Sequence, residues 1–140
     1  MKMRSSPGFS MMEILVVIVI IGFLATMVGP RVVNLLRSGK TTATQSTLTG
    51  LKAAILDYQM QIGNYPKSLQ HLVENVDNNP KWQGPYLEGQ KEVPLDKWNG
   101  VFIYNNPPKV FLKEYRTFEL ISYGEKGEAA TPEEYLKQGA

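Results

Sequence analysis

The sequence predicts an α+β protein in which a long N-terminal helix packs on a small C-terminal antiparallel sheet. Three observations support this fold class: a predominantly apolar segment over residues 9–28, a helical apolar stripe over residues 48–62, and short β-rich segments after residue 100. A helix followed by strands is typical of the α+β class. With 140 residues, the chain has room for one domain and an N-terminal anchor.

The apolar segment is long enough to cross a membrane. A helix over residues 9–30 spans roughly 33 Å, which is about the hydrocarbon thickness of a bilayer. Glu13 is the only charged residue in this segment. A carboxylate in hydrocarbon is costly unless it has a partner, so Glu13 predicts a functional interaction.

A secretory signal peptide is the main alternative for this segment, because Lys2 and Arg4 precede it. However, the apolar stretch is longer than the roughly 7–15 residues of such a signal, and it contains an acid. Residues 29–31, Gly-Pro-Arg, also form a poor signal-peptidase site. We therefore expect a membrane anchor whose short N-terminal side stays in the cytoplasm.

The residues at the start of the segment match a processing motif. The pattern Lys2-x-Arg4-x-x-x-Gly8-Phe9-x-x-x-Glu13, with the apolar run behind it, resembles the class III signal of the type IV pilin superfamily. This superfamily includes pilins and the pseudopilins of type II secretion. The resemblance implies that a prepilin peptidase cleaves after Gly8 at the cytoplasmic face of the membrane. It also implies methylation of the new N-terminal residue, Phe9.

The same resemblance divides the chain into three parts. Residues 1–8 are expected to be a cleaved leader peptide, and residues 9–30 a transmembrane and assembly helix. Residues 31–140 are expected to form a pilin-like domain that includes the second half of the long helix. The implied location is the bacterial inner membrane, with a single pass and the C-terminal domain in the periplasm.

Two residues of the helix are candidate assembly residues. In the family, the freed amine of Phe9 in one subunit meets Glu13 of its neighbour and sets the stagger between subunits, and an ion pair of this kind offsets the burial of both charges. A plain anchor, in which Glu13 reaches the membrane interface, is the alternative. Pro30 lies where subunit helices pack in the family's filaments, although it also suits a simple boundary at the membrane surface.

The second half of the long helix carries an apolar stripe. Its members recur at steps of three and four residues: Leu48, Leu51, Ala54, Ile55, Tyr58 and Ile62. This spacing predicts an amphipathic helix that packs on a sheet. Gly63 and Asn64 predict its end. Between Pro30 and Thr44 the helix formers are weak, so we expect a bend or a locally melted stretch.

The rest of the chain predicts a short helix and three strands. Ser68 is the expected cap of the short helix. His71 lies on the polar side of this helix and should be solvated. Residues 101–104, 110–112 and 117–122 are the strand candidates, and the turn-rich connections between them favour an antiparallel meander.

Further landmarks narrow the resemblance to one family. Four segments occur in the order found in the major pseudopilins of type II secretion: Gly63-Asn64-Tyr65-Pro66, Gly84-Pro85-Tyr86, Asp96-Lys97-Trp98-Asn99-Gly100 and Phe118 through Gly124. We expect Trp98 to be a buried anchor between sheet and helix, and Asn99-Gly100 to form a tight turn. The absence of cysteine is also typical of this family, whereas many pilins close a C-terminal loop with a disulfide.

The resemblance implies a structural function. Subunits would polymerise through the N-terminal helix into a periplasmic pseudopilus that drives folded proteins across the outer membrane. The implied partners are further copies of the chain, minor pseudopilins, prepilin peptidase, and an inner-membrane assembly platform with its ATPase. A type IV pilus or competence-type pilin, acting in adhesion or DNA uptake, is the alternative.

Charge and residue types disfavour two other classes of function. Without Lys2 and Arg4, the chain has equal numbers of basic and acidic residues, so we expect no nucleic-acid binding. His71 is the only histidine, and the chain contains no glycine-rich phosphate-binding motif. We therefore expect no enzymatic activity and assign no catalytic residue.

The resemblance also raises calcium as a ligand, since major pseudopilins usually close their C-terminal loop around this ion. Calcium takes six to eight oxygen ligands, several of them anionic. Lys126 stands where the family has its first aspartate, and its ammonium would repel the ion. The candidate ligands are Glu125, Glu128, Glu133 and Glu134. We expect them to be solvated instead, and Pro132 with Tyr135-Leu136 to dock the loop on the domain.

Overall fold

The computed structural model describes residues 8–140, so the predictions for Lys2, Arg4 and most of the leader concern residues outside the described part. The chain forms two compact units that divide between Ser38 and Gly39. One long helix, α1 (Met11–Ile62), contributes to both units. The described part thus has the expected α+β composition, with one long helix preceding the strands.

Helix α1 begins and ends at residues whose chemistry explains its limits. Before the helix, the Ser10 hydroxyl accepts the N–H of Met12 at 3.3 Å, which satisfies one of the free donors of the first turn. After the helix, Gly63 adopts a positive φ of 95°, a conformation that glycine favours, and its N–H binds the Gln59 carbonyl at 2.8 Å. The predicted end of the helix is confirmed.

Of the bend or melted stretch expected between Pro30 and Thr44, the melted stretch is wrong, because α1 is helical throughout this region. The bend stays a prediction. Pro30 removes one backbone donor and costs about 3 kcal/mol inside a helix, Gly39 costs about 1 kcal/mol, and the serine and threonines of this region cost a few tenths of a kcal/mol each. Thr44 is completely buried, so packing stabilises the C-terminal end of this region. Residues 31–40 are all exposed, and they are helical without contributing to the core.

The core of the second unit, Gly39–Ala140, lies between α1 and the sheet. The predicted stripe is confirmed: Leu48, Leu51, Ala54, Ile55 and Tyr58 are buried, and Ile62 packs at the edge. Phe118 is fully buried opposite them, with its ring centroid 5.5 Å from that of Tyr65. A 3₁₀ helix, Leu69–Leu72, closes one side of this core.

The sheet is the expected antiparallel meander, but only two of its three strands overlap the predicted strands. Strands β1 (Ile103–Asn105), β2 (Glu119–Ser122) and β3 (Leu136–Gly139) lie in the order β1-β2-β3. In the register, Ile103 pairs with Ile121, and Leu120 pairs with Gln138. The first and last strand candidates overlap β1 and β2.

The middle strand candidate is wrong, and β3 was missed. Residues 110–112 lie in a loop, because the N–H groups of Val110 and Phe111 donate to the Glu119 carboxylate instead of a neighbouring strand. Strand β3 has the sequence Leu-Lys-Gln-Gly, which lacks the alternation typical of a strand. Its formation depends on pairing with β2.

Two side chains lie in other environments than expected. Trp98 is half-buried and outside the core cluster, where Phe118 provides the central aromatic ring, so Trp98 is not the buried anchor. His71 is only 6% exposed rather than solvated. His71 Nδ1 and the Ser68 hydroxyl form a hydrogen bond at 2.9 Å. The Ser68 side chain forms no capping hydrogen bond with the short helix.

Candidate assembly segment and C-terminal loop

The N-terminal part of α1 is an apolar surface. Every large apolar side chain on α1 from Met11 to Leu36 is exposed. Within residues 8–140, α1 is the one helix long and apolar enough to cross a membrane, and none of its most apolar stretch is buried. An apolar surface of this size is unstable in water, so lipid or other protein chains must cover it.

The side chains between Glu13 and Pro30 suit an apolar environment. Thr26 carries the only side-chain hydroxyl between Glu13 and Pro30, and it donates to the carbonyl of Phe23 at 2.7 Å. Polar groups in lipid need hydrogen-bond partners within the protein, and the Thr26 hydroxyl has one. Pro30 lies inside α1 and lacks an N–H, so the Thr26 carbonyl has lost its usual helical donor.

The predicted processing and assembly residues lie together at the start of this surface. Gly8 and Phe9 precede the helix, and both are exposed. Glu13 lies in the first turn of α1, near the positive end of the helix dipole, and its side chain is exposed. Among residues 8–140, no group forms an ion pair with the Glu13 carboxylate. Gly8, Phe9 and Glu13 are thus all accessible in the described part of the chain.

The C-terminal loop between β2 and β3 contains the four predicted calcium candidates. Glu125 and Glu128 lie on a 3₁₀ helix, Gly124–Ala129, which is kinked at the non-helical residue Gly127. Glu133 and Glu134 lie on a second 3₁₀ helix, Pro132–Glu134, and all four acids are exposed. Lys126 donates from its ammonium to Glu134 Oε1. The other oxygen, Oε2, accepts the Thr131 N–H at 3.0 Å and the Thr131 hydroxyl at 3.3 Å.

These contacts leave the loop poorly suited to calcium. Both oxygens of Glu134 already accept hydrogen bonds, and the ammonium of Lys126 lies beside them. The Lys126 hydrogen bond lowers the pKa of Glu134, with a further contribution from the Thr131 N–H. In the described chain, no three acidic or histidine side chains converge on a point where they could hold a metal ion. The residues present do not fit a calcium cage.

The predicted docking of the loop is confirmed for Tyr135 and Leu136, whereas Pro132 is exposed. The Tyr135 ring lies 4.8 Å from the Tyr123 ring, measured between centroids, and Leu136 packs against the core. The Gln45 side chain on α1 also donates to the Lys137 carbonyl at 3.3 Å. These contacts attach the end of the loop and the start of β3 to the domain.

A buried carboxylate that the sequence analysis missed organises the loop between β1 and β2. Glu119 is fully buried, and its Oε1 accepts the Asn105 amide at 2.7 Å and the N–H groups of Lys109 and Val110 at 2.8 and 2.9 Å. Its Oε2 accepts the Phe111 N–H at 2.8 Å. Burial raises the pKa of Glu119, but these hydrogen bonds together outweigh burial and hold the pKa below its ordinary value.

A second buried carboxylate, Asp96, fixes the turn before β1. Its Oδ1 accepts the N–H groups of Trp98 at 2.9 Å and Gly100 at 2.7 Å, which confirms the predicted tight turn. Its Oδ2 accepts the Ser122 hydroxyl at 2.6 Å, and that hydroxyl also accepts the Gly124 N–H at 3.1 Å. Asp96 therefore connects the turn to β2 and to the start of the C-terminal loop. The spacing of an aspartate four residues before a glycine was the available sequence signal.

The apolar helix with its processing motif, joined to a small antiparallel sheet, defines a membrane-anchored pilin-like subunit. Over residues 31–137 the chain matches the family described as type II secretion system (T2SS), protein G. Residues 3–29 match the prokaryotic N-terminal methylation motif. The chain belongs to the type II secretion system protein G family.

Individual relatives agree with the family match. The chain is 35% identical to type II secretion system core protein G of Xanthomonas campestris pv. campestris, over 86% of this chain and 79% of the relative. It is 32% identical to the protein of the same description from Pseudomonas aeruginosa, over 76% of this chain and 78% of the relative. It is 31% identical to the Escherichia coli protein of the same description, over 94% of this chain and 90% of the relative. No solved structure gave a significant match.

The family match decides between the functions considered from the sequence. Core protein G is the major pseudopilin, so the chain is a structural subunit of a type II secretion pseudopilus, and a surface-pilus pilin is not favoured. The apolar helix and the methylation motif fit a membrane-anchored subunit of that system. The family is one of structural pseudopilins rather than of enzymes.

Proposed function

We propose that this chain is cleaved after Gly8, methylated at Phe9, and polymerised through α1 into a periplasmic filament that pushes folded proteins across the outer membrane. The observation that carries the proposal is the exposed apolar surface of α1, with Glu13 in its first turn. The match to the methylation motif supports the processing step.

The physics of the membrane explains why Glu13 would matter for assembly. Apolar side chains gain little when they exchange lipid for a neighbouring helix, because lipid tails are as apolar as they are. The exposed side chains of α1 therefore favour contact without setting its register. A buried carboxylate strongly prefers a position opposite a positive charge. Cleavage after Gly8 creates such a charge, the amine of Phe9, so each subunit would carry both halves of the pair.

The remaining partners follow from this assembly scheme. Prepilin peptidase would process the chain in the inner membrane, and the assembly platform with its ATPase would extract it. Minor pseudopilins would join the filament made of this subunit. The pilin-like domain, residues 31–140, would lie in the periplasm, where the filament grows.

Glu13→Gln tests the role of the carboxylate, because it removes the charge and keeps the size of the side chain. We expect normal cleavage and methylation but loss of the subunit from filaments, measured by mass spectrometry of the N-terminus and by recovery of assembled filaments. Glu88→Gln, the same change at an exposed acid outside α1, is the control. Normal filaments from Glu13→Gln would refute the register role.

Two further measurements test processing and secretion. Mass spectrometry of the mature chain should find an N-methylated Phe9, and an intact Met1 or cleavage near Arg31 would contradict the proposed processing.

Deletion of the gene should cause secreted proteins to accumulate in the periplasm while surface fibres remain normal. Loss of surface fibres with normal secretion would support the pilus alternative instead.

A further inference from the structure

The loop between β2 and β3 carries opposite charges at two points that are eight residues apart. Lys126 lies on the first 3₁₀ helix of the loop, and Glu134 ends the second. Their side chains form an ion pair across the loop. This pair joins the two short helices directly, in the segment where a calcium ion would otherwise be expected to join them.

The pair belongs to a connected set of contacts. Glu134 also accepts both the N–H and the hydroxyl of Thr131, and its own N–H donates to the Thr131 carbonyl at 2.8 Å. Between the two helices, the Ala130 N–H donates to the Gly127 carbonyl at 3.0 Å, and Ala130 is buried. The ion pair and these hydrogen bonds all join residues of the loop to one another, so the loop is closed by contacts within itself.

We infer that this chain closes its C-terminal loop without calcium, and that the ammonium of Lys126 supplies the positive charge that organises the loop carboxylates. A cation at this position neutralises Glu134 and at the same time repels a divalent ion from the adjacent acids. The inference concerns the stability of the domain and is independent of the proposed filament function.

The test compares the full chain in detergent micelles with calcium and with the chelator EGTA. We expect the same melting temperature and the same hydrogen exchange of residues 124–134 in both conditions. A melting temperature that falls in EGTA would overturn the inference, because it would show that the ion stabilises the folded chain.

Lys126→Met tests whether the ion pair closes the loop, since it removes the charge without adding an acid. We expect exchange of the amides in residues 124–134 to become about two- to five-fold faster, as is typical of the loss of an exposed ion pair. Lys113→Met is the matched control, because Lys113 is an exposed lysine in another loop. Unchanged exchange in Lys126→Met would show that the pair does not close the loop and would overturn the inference.

Discussion

Glu119 Oε2 accepts the backbone N–H of Phe111 at 2.8 Å, and this contact joins a central strand to the loop that precedes it. The carboxylate is completely buried, yet its two oxygens accept four N–H donors, three of which belong to the backbone. Backbone donors thus replace water around the charge. Strand β2 and residues 105–111 should therefore form and unfold as one unit.

Glu119→Gln should destabilise the domain by about 1–3 kcal/mol, the typical cost of leaving a buried polar group unsatisfied. The amide NH₂ of glutamine would face a backbone N–H that needs an acceptor. The free energy of unfolding of the full chain in detergent, measured with urea, tests this prediction. Glu88→Gln is the control, because Glu88 is exposed, and its loss should be close to neutral. Equal stability of the two variants would contradict the role of Glu119.

The same residue predicts a dependence of stability on pH. The pKa of Glu119 in the folded chain is below the ordinary value of 4.5. Its stabilising contribution is therefore complete above about pH 4.5 and is lost as the pH falls through the lower folded value. Unfolding measured at several acidic pH values should show a smaller loss of stability in Glu119→Gln than in the unchanged chain. Parallel curves would contradict this prediction.

Gly139→Ala should weaken β3 selectively. A Cβ at Gly139 would lie 2.5 Å from the Phe118 carbonyl oxygen and 2.6 Å from the Tyr115 ring, so the strand would have to move. Gly50→Ala is a useful comparison, since a Cβ there contacts nothing within 4 Å and alanine favours a helix. Gly139→Ala should lower the melting temperature and speed amide exchange in residues 136–139, whereas Gly50→Ala should raise the melting temperature. The same response in both variants would contradict the packing at Gly139.

Local patterns predicted α1 because the information that forms a helix lies within a few turns. The stripe from Leu48 to Ile62 and the stop at Gly63 both depend on neighbouring residues. Strand β3 and the loop at residues 110–112 could not be predicted in this way. Each depends on groups distant in the chain: β3 requires the edge of β2, and the loop requires the carboxylate of Glu119.

The candidate site residues also differ in whether local sequence patterns could predict them. Gly8, Phe9 and Glu13 lie within six consecutive residues, so the sequence alone could identify the motif that they form. The Lys126–Glu134 pair could not be predicted, because the conformation of the intervening loop decides whether the two side chains meet. From the sequence, Lys126 could be identified only as an obstacle to calcium. The structure shows which carboxylate it binds.

Leu48→Ala should cost about 2–5 kcal/mol of stability, because it leaves a cavity in a closely packed core. Leu48 has no exposed surface and lies in the cluster that includes Phe118. Met60→Ala on the opposite side of α1 is the matched control, because Met60 is 79% exposed. Urea unfolding of the two variants should differ by at least about 2 kcal/mol. A similar cost at both positions would contradict the assignment of the buried face.

Gly100→Ala should destabilise the turn before β1, and the effect should depend on Asp96. A Cβ at Gly100 would lie 2.7 Å from Asp96 Oδ2, the oxygen that accepts the Ser122 hydroxyl at 2.6 Å. The added methyl group would push the carboxylate away from Ser122 or distort the turn. A double-mutant cycle separates this contact from the general cost of alanine in a turn. We expect Gly100→Ala to cost less in an Asp96→Ala background than in the unchanged chain, because the opposing oxygen is then absent. Equal costs in the two backgrounds would show that the carboxylate is not what excludes a side chain at position 100.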